Sequence, residues 1–272
     1  MDDVLDRRDV AQILDDPRFT VPEADAALPG PFGRFRARAS RFANGPVHDR
    51  RRRAIERLLA RLDPVELAAD AASRTRAILH GNGVRVDAAP MSAVARTVPV
   101  ACLAAGLGFD RPDDLPGLVA GVAPAYASGV GTADAGASVA RLLAAAPRAA
   151  RAATARDDEE TRELAVQVLA QAFAATAGLI EAAMRAAQAA PAGTATSDLL
   201  ATTLRDDPPV RSTRRVAPDG TVMTLHFDGP DSGGVPGHPP RSLAFGAGGR
   251  ACPAQDLALA IAGAVVQELR AC

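Results

Sequence analysis

Nine residues near the end of the chain, FGAGGRACP at 245–253, decide the fold. They place one phenylalanine, three glycines, one arginine and one cysteine directly before a segment with helical periodicity. Glycines let the backbone approach a flat ligand, and the N–H groups of a helix start point at whatever precedes the helix. Cys252 occupies that position, where a helix N-terminus lowers the pKa of a thiol. Such a thiolate is a metal ligand or a nucleophile, and the alternative is a buried, inert cysteine.

The residues around Cys252 resemble the haem-binding signature of the cytochrome P450 family. Phe245, Gly246, Gly248, Arg250 and Cys252 match its pattern of Phe, Gly, any residue, Gly, any residue, Arg or His, any residue and Cys before the last long helix. The resemblance implies that Cys252 is the thiolate ligand of the iron in haem b, iron protoporphyrin IX. It also implies that Arg250 contacts a haem propionate and that Phe245 packs beside the sulfur, with both glycines in the cofactor loop.

Two further segments resemble the same family, in the same order along the chain. VHDRRRRAIERLL resembles the helix with a His-x-x-x-Arg pair that reaches the propionates, and His48 and Arg52 hold that pair on one helical face. LRDDPPVRSTRRVA resembles the segment in which a strand arginine contacts a propionate, which implies Arg215, with Arg214 as the alternative. The resemblance covers roughly 3–271. The chain thus looks like a shortened, divergent bacterial P450-like haem-thiolate protein.

Two departures from the family pattern bear on function. Thr202 stands where the family's Glu-x-x-Arg pair has its glutamate, so the retained Arg205 needs another partner. In the central helix, the family's oxygen-activating stretch falls on QAFAAT, so Ala174 replaces the acid and Ala175 the alcohol that relay protons to dioxygen. Thr176 lies about 100° further round the helix and is a weak substitute. The resemblance therefore implies a distal helix lined by these residues, with its proton relay lost.

These departures leave three functions open. The favoured function is a haem-thiolate enzyme that acts on a natural-product intermediate without normal dioxygen activation, by cyclisation, dehydration, rearrangement or N–N or N–O chemistry. The alternatives are an ordinary P450 monooxygenase or peroxygenase, and a degenerate scaffold that binds a substrate or partner without catalysis. Predicted partners are a small-molecule substrate and a carrier domain or partner enzyme. Specificity is expected in the loops at 20–45 and 121–136, whose Ala/Gly content indicates an apolar pocket.

Composition independently predicts a mostly α protein. The 272 residues are 48% hydrophobic but only 3% aromatic, and their abundant alanines favour closely packed helices. Two strands are predicted at 212–217 and 221–227, around the turn PDG. The predicted fold is mostly α, a shortened cytochrome P450-like fold with a small residual β region, in a single haem-binding domain over 1–272. The main predicted helices span 3–15, 90–107, 113–128, 134–154, 157–189, 197–206 and 254–271.

Charge and cysteine content exclude several classes of protein. The net charge of −1 gives no basic field for nucleic acid. Cys102, Cys252 and Cys272 are too few and scattered for a disulfide framework, which favours a reducing, cytoplasmic setting. The N-terminus MDDVLDRRDV is too charged for a signal peptide, and no long uncharged stretch of Leu-like residues predicts a membrane span.

Overall fold

The computed structural model describes residues 2–81, 88–148, 154–235 and 237–271. Ten α-helices and three β-strands are formed by these residues, which confirms the mostly α prediction. The helix predicted at 134–154 ends at Ala145, whose C-cap Ala146 is extended, and residues 149–153 and Cys272 lie outside the described residues. In chain order the bounds are β1 Asp2–Val4, α1 Arg7–Asp15, α2 Gly30–Ala37, α3 Gly45–Leu59, α4 Pro64–Gly81, α5 Ala88–Leu107, α6 Pro116–Ser128, α7 Ala133–Ala145, α8 Ala155–Ala189, α9 Thr196–Asp206, β2 Ser212–Val216, β3 Val222–His226 and α10 Gln255–Ala271.

Helix α8 is the centre of the core, as its sequence predicts. The hydroxyl of its N-cap Thr154 accepts a hydrogen bond from the backbone N–H of Asp157 at 3.2 Å, and acidic residues follow in the first turn, where the helix dipole favours negative charge. Past that turn its small and branched side chains are buried against α3, α5, α6, α9 and α10. Alanines on this face let neighbouring helices approach closely, and the core therefore forms with few aromatic residues.

Helix α8 is long and apolar enough to be compared with a membrane-spanning helix. Among the described residues, Asp157–Ala189 is the helix long and apolar enough to cross a membrane, although the sequence analysis found no such stretch. Within its apolar window, 67% of the residues are buried inside the fold. A core helix meets the same criteria of length and composition as a membrane span, and α8 occupies a core position.

A small sheet carries the second, smaller apolar cluster. Its strand order is β1-β3-β2, with β1 parallel and β2 antiparallel to β3. Helix α1 packs on this sheet through Val10 and Leu14, against Leu225 and Phe227. The pattern predicted a helix from residue 3, but the first residues form β1 instead. Pairing with a strand more than 200 residues away decides this, and local periodicity carries no signal for it.

Arg7, the first residue of α1, joins three distant segments. Its guanidinium is buried, with 3% of the residue exposed, and donates hydrogen bonds to the carbonyls of Gly229 at 2.7 Å, Arg241 at 2.7 Å and Arg205 at 2.8 Å. The side chain of Arg205 pairs with Asp206, at 2.7 Å between Nη2 and Oδ2, which supplies the partner that the missing glutamate leaves open. Arg7 therefore braces the region where the family pattern expects a Glu–Arg pair.

A second difference from the sequence prediction concerns the segment 20–45, expected to be a specificity loop. Helix α2, Gly30–Ala37, begins there and buries Phe32 and Phe35 beneath α6 and α7. Pro and Gly in this stretch suggested a loop, but the proline lies at the N-terminus of α2, where its missing N–H costs no hydrogen bond. The helix thus places part of the predicted specificity segment against the core.

Candidate functional site

One cavity of about 580 Å³ collects most of the predicted site residues. Its walls come from α3, α8, α10, strand β2 and the loop that precedes α10. The predicted residues that line it are His48, Arg52, Ala175, Thr176, Arg215, Phe245, Gly246, Arg250 and Cys252. Ala174 and Gly248 do not line it. The volume lies within the range of small-molecule and cofactor sites.

The loop before α10 is held by left-handed glycines. Gly246 has φ 70° and Gly248 has φ 64°, a region that other residues rarely adopt. The backbone N–H of Cys252 donates to the carbonyl of Phe245 at 2.8 Å, which closes the loop. A Cβ at Gly248 would lie 2.6 Å from the carbonyl oxygen of Leu14, so this glycine serves close packing of the loop on α1 rather than the cavity wall.

Cys252 is a partly buried residue of the cavity lining. Burial raises the pKa of its thiol, and the backbone hydrogen bond from Ala254 and the charge of Arg52 oppose that shift. The N–H at the helix start does act in the expected direction on this pKa, but burial outweighs it. Helix α10 begins at Gln255, and one N–H near the sulfur does not offset its desolvation. A metal cation bound to the sulfur would favour the thiolate.

Arg215, which is buried, and Arg250, which is partly buried, put positive charge on the same cavity. Arg250 donates to the carbonyl of Ala43 at 2.8 Å and to Oδ1 of Asn44 at 2.9 Å. Arg215 is 6% exposed, and burial, with Arg250 and Arg41 nearby, lowers its pKa to about 10. Neither guanidinium forms an ion pair within the described part of the chain. Buried cations without carboxylate partners are costly, which indicates an anionic ligand.

His48 and Arg52 complete this cluster from helix α3. His48 is buried and its Nδ1 lies 3.1 Å from Oδ1 of Asp49, while Arg52 pairs with Glu56 at 2.7 Å. Burial lowers the pKa of His48, and the charge of Arg250 adds to that effect. The predicted spacing of four residues does place both side chains on the cavity face of α3.

The residues of α8 that line the cavity differ in part from those predicted. The residues that line it are Gln167, Val168, Gln171, Ala172, Ala175, Thr176 and Leu179. Ala174 is exposed on another face of the helix, which corrects its predicted place in the distal wall. Rotation of about 100° per residue puts Ala175 and Thr176 together on the wall while Ala174 points away. A hydroxyl, that of Thr176, is therefore present on this face.

Two site features had no signal in the sequence. Arg36 and Tyr126 are 9% and 1% exposed and lie together where α2 meets the end of α6. Neighbouring arginines in the same segment are exposed, so residue type alone could not single out Arg36. Thr202 is exposed on α9 and takes no part in the cavity.

Only the comparison with solved structures identifies the fold of this chain. No family model matches the sequence, and no curated protein matches it. The solved structure of CalO2 is similar, with a TM-score of 0.76, 18% identity, and 98% of this chain and 82% of that chain covered. P450BioI, solved in complex with hexadec-9Z-enoic acid ligated acyl carrier protein, gives a TM-score of 0.69, 16% identity and coverage of 98% and 83%.

A third similar structure is P450 RauA, solved with a biosynthetic intermediate of aurachin RE. It gives a TM-score of 0.67 and 16% identity, and the match covers 98% of this chain and 82% of that chain. Identities at this level establish the fold and leave activity to the site itself. The central α8, the small sheet, and the glycine loop that carries Cys252 into the last helix together make this chain a shortened form of the cytochrome P450 fold.

Proposed function

We propose that this protein is a haem-thiolate enzyme, one haem-binding domain that holds haem b between α8 and the Cys252 loop. The observation that carries the proposal is a pair of guanidiniums without ion-pair partners among the described residues, the buried Arg215 and the partly buried Arg250, on the cavity that Cys252 also lines. Propionate carboxylates would supply the missing negative charge through charge-assisted hydrogen bonds. When bound through a thiolate, haem supplies electron-rich iron for redox or Lewis-acid chemistry.

The residues of the chain divide into three roles. Cys252 would ligate the metal, and the N–H of Ala254 would stabilise negative charge on its sulfur. Arg215, Arg250, His48 and Arg52 would hold the two carboxylates and so fix the orientation of the ring. Phe245 and Gly246 would pack beside it, because both line the cavity next to Cys252.

The chemistry that we propose is conversion of a small natural-product intermediate without dioxygen activation. Delivery of protons to dioxygen needs an acid on the distal wall. The described cavity face of α8 offers amides, apolar side chains and one hydroxyl, but no carboxylic acid. Cyclisation, dehydration, rearrangement or N–N or N–O chemistry does not depend on such an acid.

The second candidate is an ordinary monooxygenase or peroxygenase, and Thr176 favours it. Its residue is 4% exposed and lines the cavity, so its hydroxyl is available there although Ala174 and Ala175 carry none. A non-catalytic scaffold is the third candidate, and the convergence of Cys252 with three arginines and His48 argues against it. We also propose a cytoplasmic protein. The acyl carrier protein bound by P450BioI supports delivery of the substrate on a carrier.

The Arg215→Leu variant tests the haem site through two effects of opposite sign, one on the stability of the haem-free protein and one on haem affinity. Without haem, the variant should melt a few degrees above the wild type, because it removes a buried cation without a carboxylate partner. With haem, its affinity should fall by roughly 10- to 100-fold, the effect of one charge-assisted hydrogen bond. Thermal melts and haemin titrations measure the two effects.

The matched control is Arg53→Leu, which removes an exposed arginine of α3 outside the cavity. It should leave both the melting temperature and the haemin affinity unchanged. Equal haemin affinity in the Arg215→Leu variant and the wild type would contradict the assignment of Arg215 to a propionate.

The proposed chemistry predicts turnover without NADPH, redox partner proteins or dioxygen. Once a substrate is identified, anaerobic reaction without electron donors should proceed at the aerobic rate, because no proton-delivering acid faces the cavity from α8. Installing an acid beside Thr176, as Ala175→Asp, should not accelerate it. Product analysis under ¹⁸O₂ checks the prediction, and one labelled oxygen atom in the product would establish the monooxygenase alternative instead.

A further inference from the structure

Arg36 is a buried cation that the haem site does not use. The residue is 9% exposed and lines the main cavity from helix α2. Its Nε donates to the carbonyl of Tyr126 at 3.2 Å, and its guanidinium lies 3.9 Å from the centre of the Phe42 ring. Among the described residues it makes no ion pair. Nη1 and Nη2 donate no hydrogen bond among the described residues, and the residue lines the cavity.

The surroundings of Arg36 hold the guanidinium in place. Gly129, with φ 83°, follows α6, and a Cβ there would lie 3.2 Å from Nη2 and 3.3 Å from Nη1 of Arg36. Phe42 covers one face of the guanidinium plane, as in a cation–π contact. The planar fork is thus fixed with its free edge available, the arrangement that suits a carboxylate or phosphate.

The charges near Arg36 make this end of the cavity positive. Burial lowers the pKa of Arg36, and the charges of Arg41 and Arg214 add to this shift, while Tyr126 and Asp25 act in the opposite sense. Asp25 and Glu23, the carboxylates that line the cavity, are exposed and accept hydrogen bonds from Ala27 and Asn44. They leave Arg36 without a carboxylate in contact. An arginine stays protonated even when its pKa is lowered, so this positive charge is permanent.

We infer that the substrate carries a carboxylate or phosphate group, and that Arg36 binds it at the end of the cavity formed by α2 and α6. This inference rests on the proposed function, since it assigns Cys252 and Arg215 to haem and leaves Arg36 for the substrate. It also joins the two segments predicted to set specificity, because Arg36 comes from 20–45 and Tyr126 from 121–136. The charged group would anchor one end of the substrate, and the apolar wall of α8 would contact the rest.

Calorimetric titration with matched pairs of ligands tests this inference. The probes are dodecanoate, 4-phenylbutanoate and 2-naphthoate, each against its primary amide, with dodecyl phosphate as the phosphate arm. In haem-loaded wild type, at least one acid should bind roughly 10- to 100-fold more tightly than its amide, the range for one charge-assisted hydrogen bond. Tighter binding of dodecyl phosphate than of dodecanoate identifies a phosphate ligand, and the reverse identifies a carboxylate.

Arg36→Met should abolish the preference for the acid, whereas Arg34→Met should keep it. Arg34 lies on the same helix and carries the same charge, but it is exposed and outside the cavity. Arg36→Lys keeps the charge but lacks the planar fork, so it should show a reduced preference for the acid. This variant tests the inference if Arg36→Met fails to fold. No acid preferred in the wild type, or an undiminished preference in both Arg36 variants, would overturn the inference.

The haem content of the same samples separates this inference from the proposed function. Arg36→Met should keep the wild-type haem content, and loss of haem would assign Arg36 to a propionate and overturn the substrate role. A wild-type protein that binds no haem contradicts the proposed function instead. Preference for the acids in that haem-free protein, lost in Arg36→Met, would still support the anion site.

Discussion

Cys252→Ala is expected to abolish the long-wavelength absorption of the ferrous carbon monoxide complex, the signature of haem ligated by sulfur. Cys252 is the cysteine that lines the cavity, and its backbone is fixed by the hydrogen bond to Phe245. Alanine keeps this backbone but removes the ligand, so the loss should be complete rather than graded. Difference spectra of the reduced, carbon monoxide-treated protein measure it.

Cys102→Ala is the matched control for that experiment. Cys102 is fully buried in α5, away from the cavity, and burial raises the pKa of its thiol well above the usual range. A thiol held neutral in this way is a poor metal ligand, and its removal should leave the spectrum unchanged. A sulfur-ligation spectrum that survives in Cys252→Ala, or disappears in Cys102→Ala, would contradict the assignment.

Arg7→Met is expected to lower the free energy of unfolding by roughly 3–5 kcal/mol, the cost of breaking a buried charged network. The substitution leaves the carbonyls of Gly229, Arg241 and Arg205 without the donors that now satisfy them. Hydrogen bonds to charged groups contribute about 1.5–3 kcal/mol each, and methionine keeps the apolar stem, so lost hydrogen bonds dominate the effect. Urea denaturation followed by circular dichroism measures it.

Arg8→Met removes the same charge from the next residue and serves as the control. Arg8 is exposed, and substitutions of this kind change stability by about 0.5 kcal/mol or less. Equal destabilisation in the two variants would show that Arg7 acts through net charge and not through its three carbonyl contacts. The result also bears on the missing glutamate at Thr202, because a large effect at Arg7 identifies it as the brace for that region.

Part of the site follows from local sequence alone. The glycine spacing before Cys252 predicts a loop with left-handed residues, and the structure has φ 70° at Gly246 and φ 64° at Gly248. The four-residue spacing of His48 and Arg52 puts both on one helical face in any helix. Such features depend on residues close in the chain, where geometry is fixed by the covalent backbone.

The rotation of α8 about its own axis does not follow from local sequence. Periodicity identifies the helix, but a rotation of about 100° per residue means that an error of one position moves a side chain to another face. The sequence pattern predicts Ala174, Ala175 and Thr176 on the distal wall, but only Ala175 and Thr176 line the cavity, and Ala174 lies outside it. Contacts with α3 and α10 fix the rotation, and those helices are far away in sequence.

The sequence by itself determined the helical class, the long central helix and the loop that presents Cys252, because each depends on periodicity or spacing within a few residues. Only the tertiary structure determined which arginines are buried in contact with distant parts of the chain. Arg7 and Arg36 are buried, whereas their neighbours Arg8 and Arg34 are exposed, although all four are the same residue type in similar helices. The hydrogen-bond partners of Arg7 and Arg36 lie 90 or more residues away in the chain, and the free energy of a buried charge depends on such partners and not on its place in the sequence.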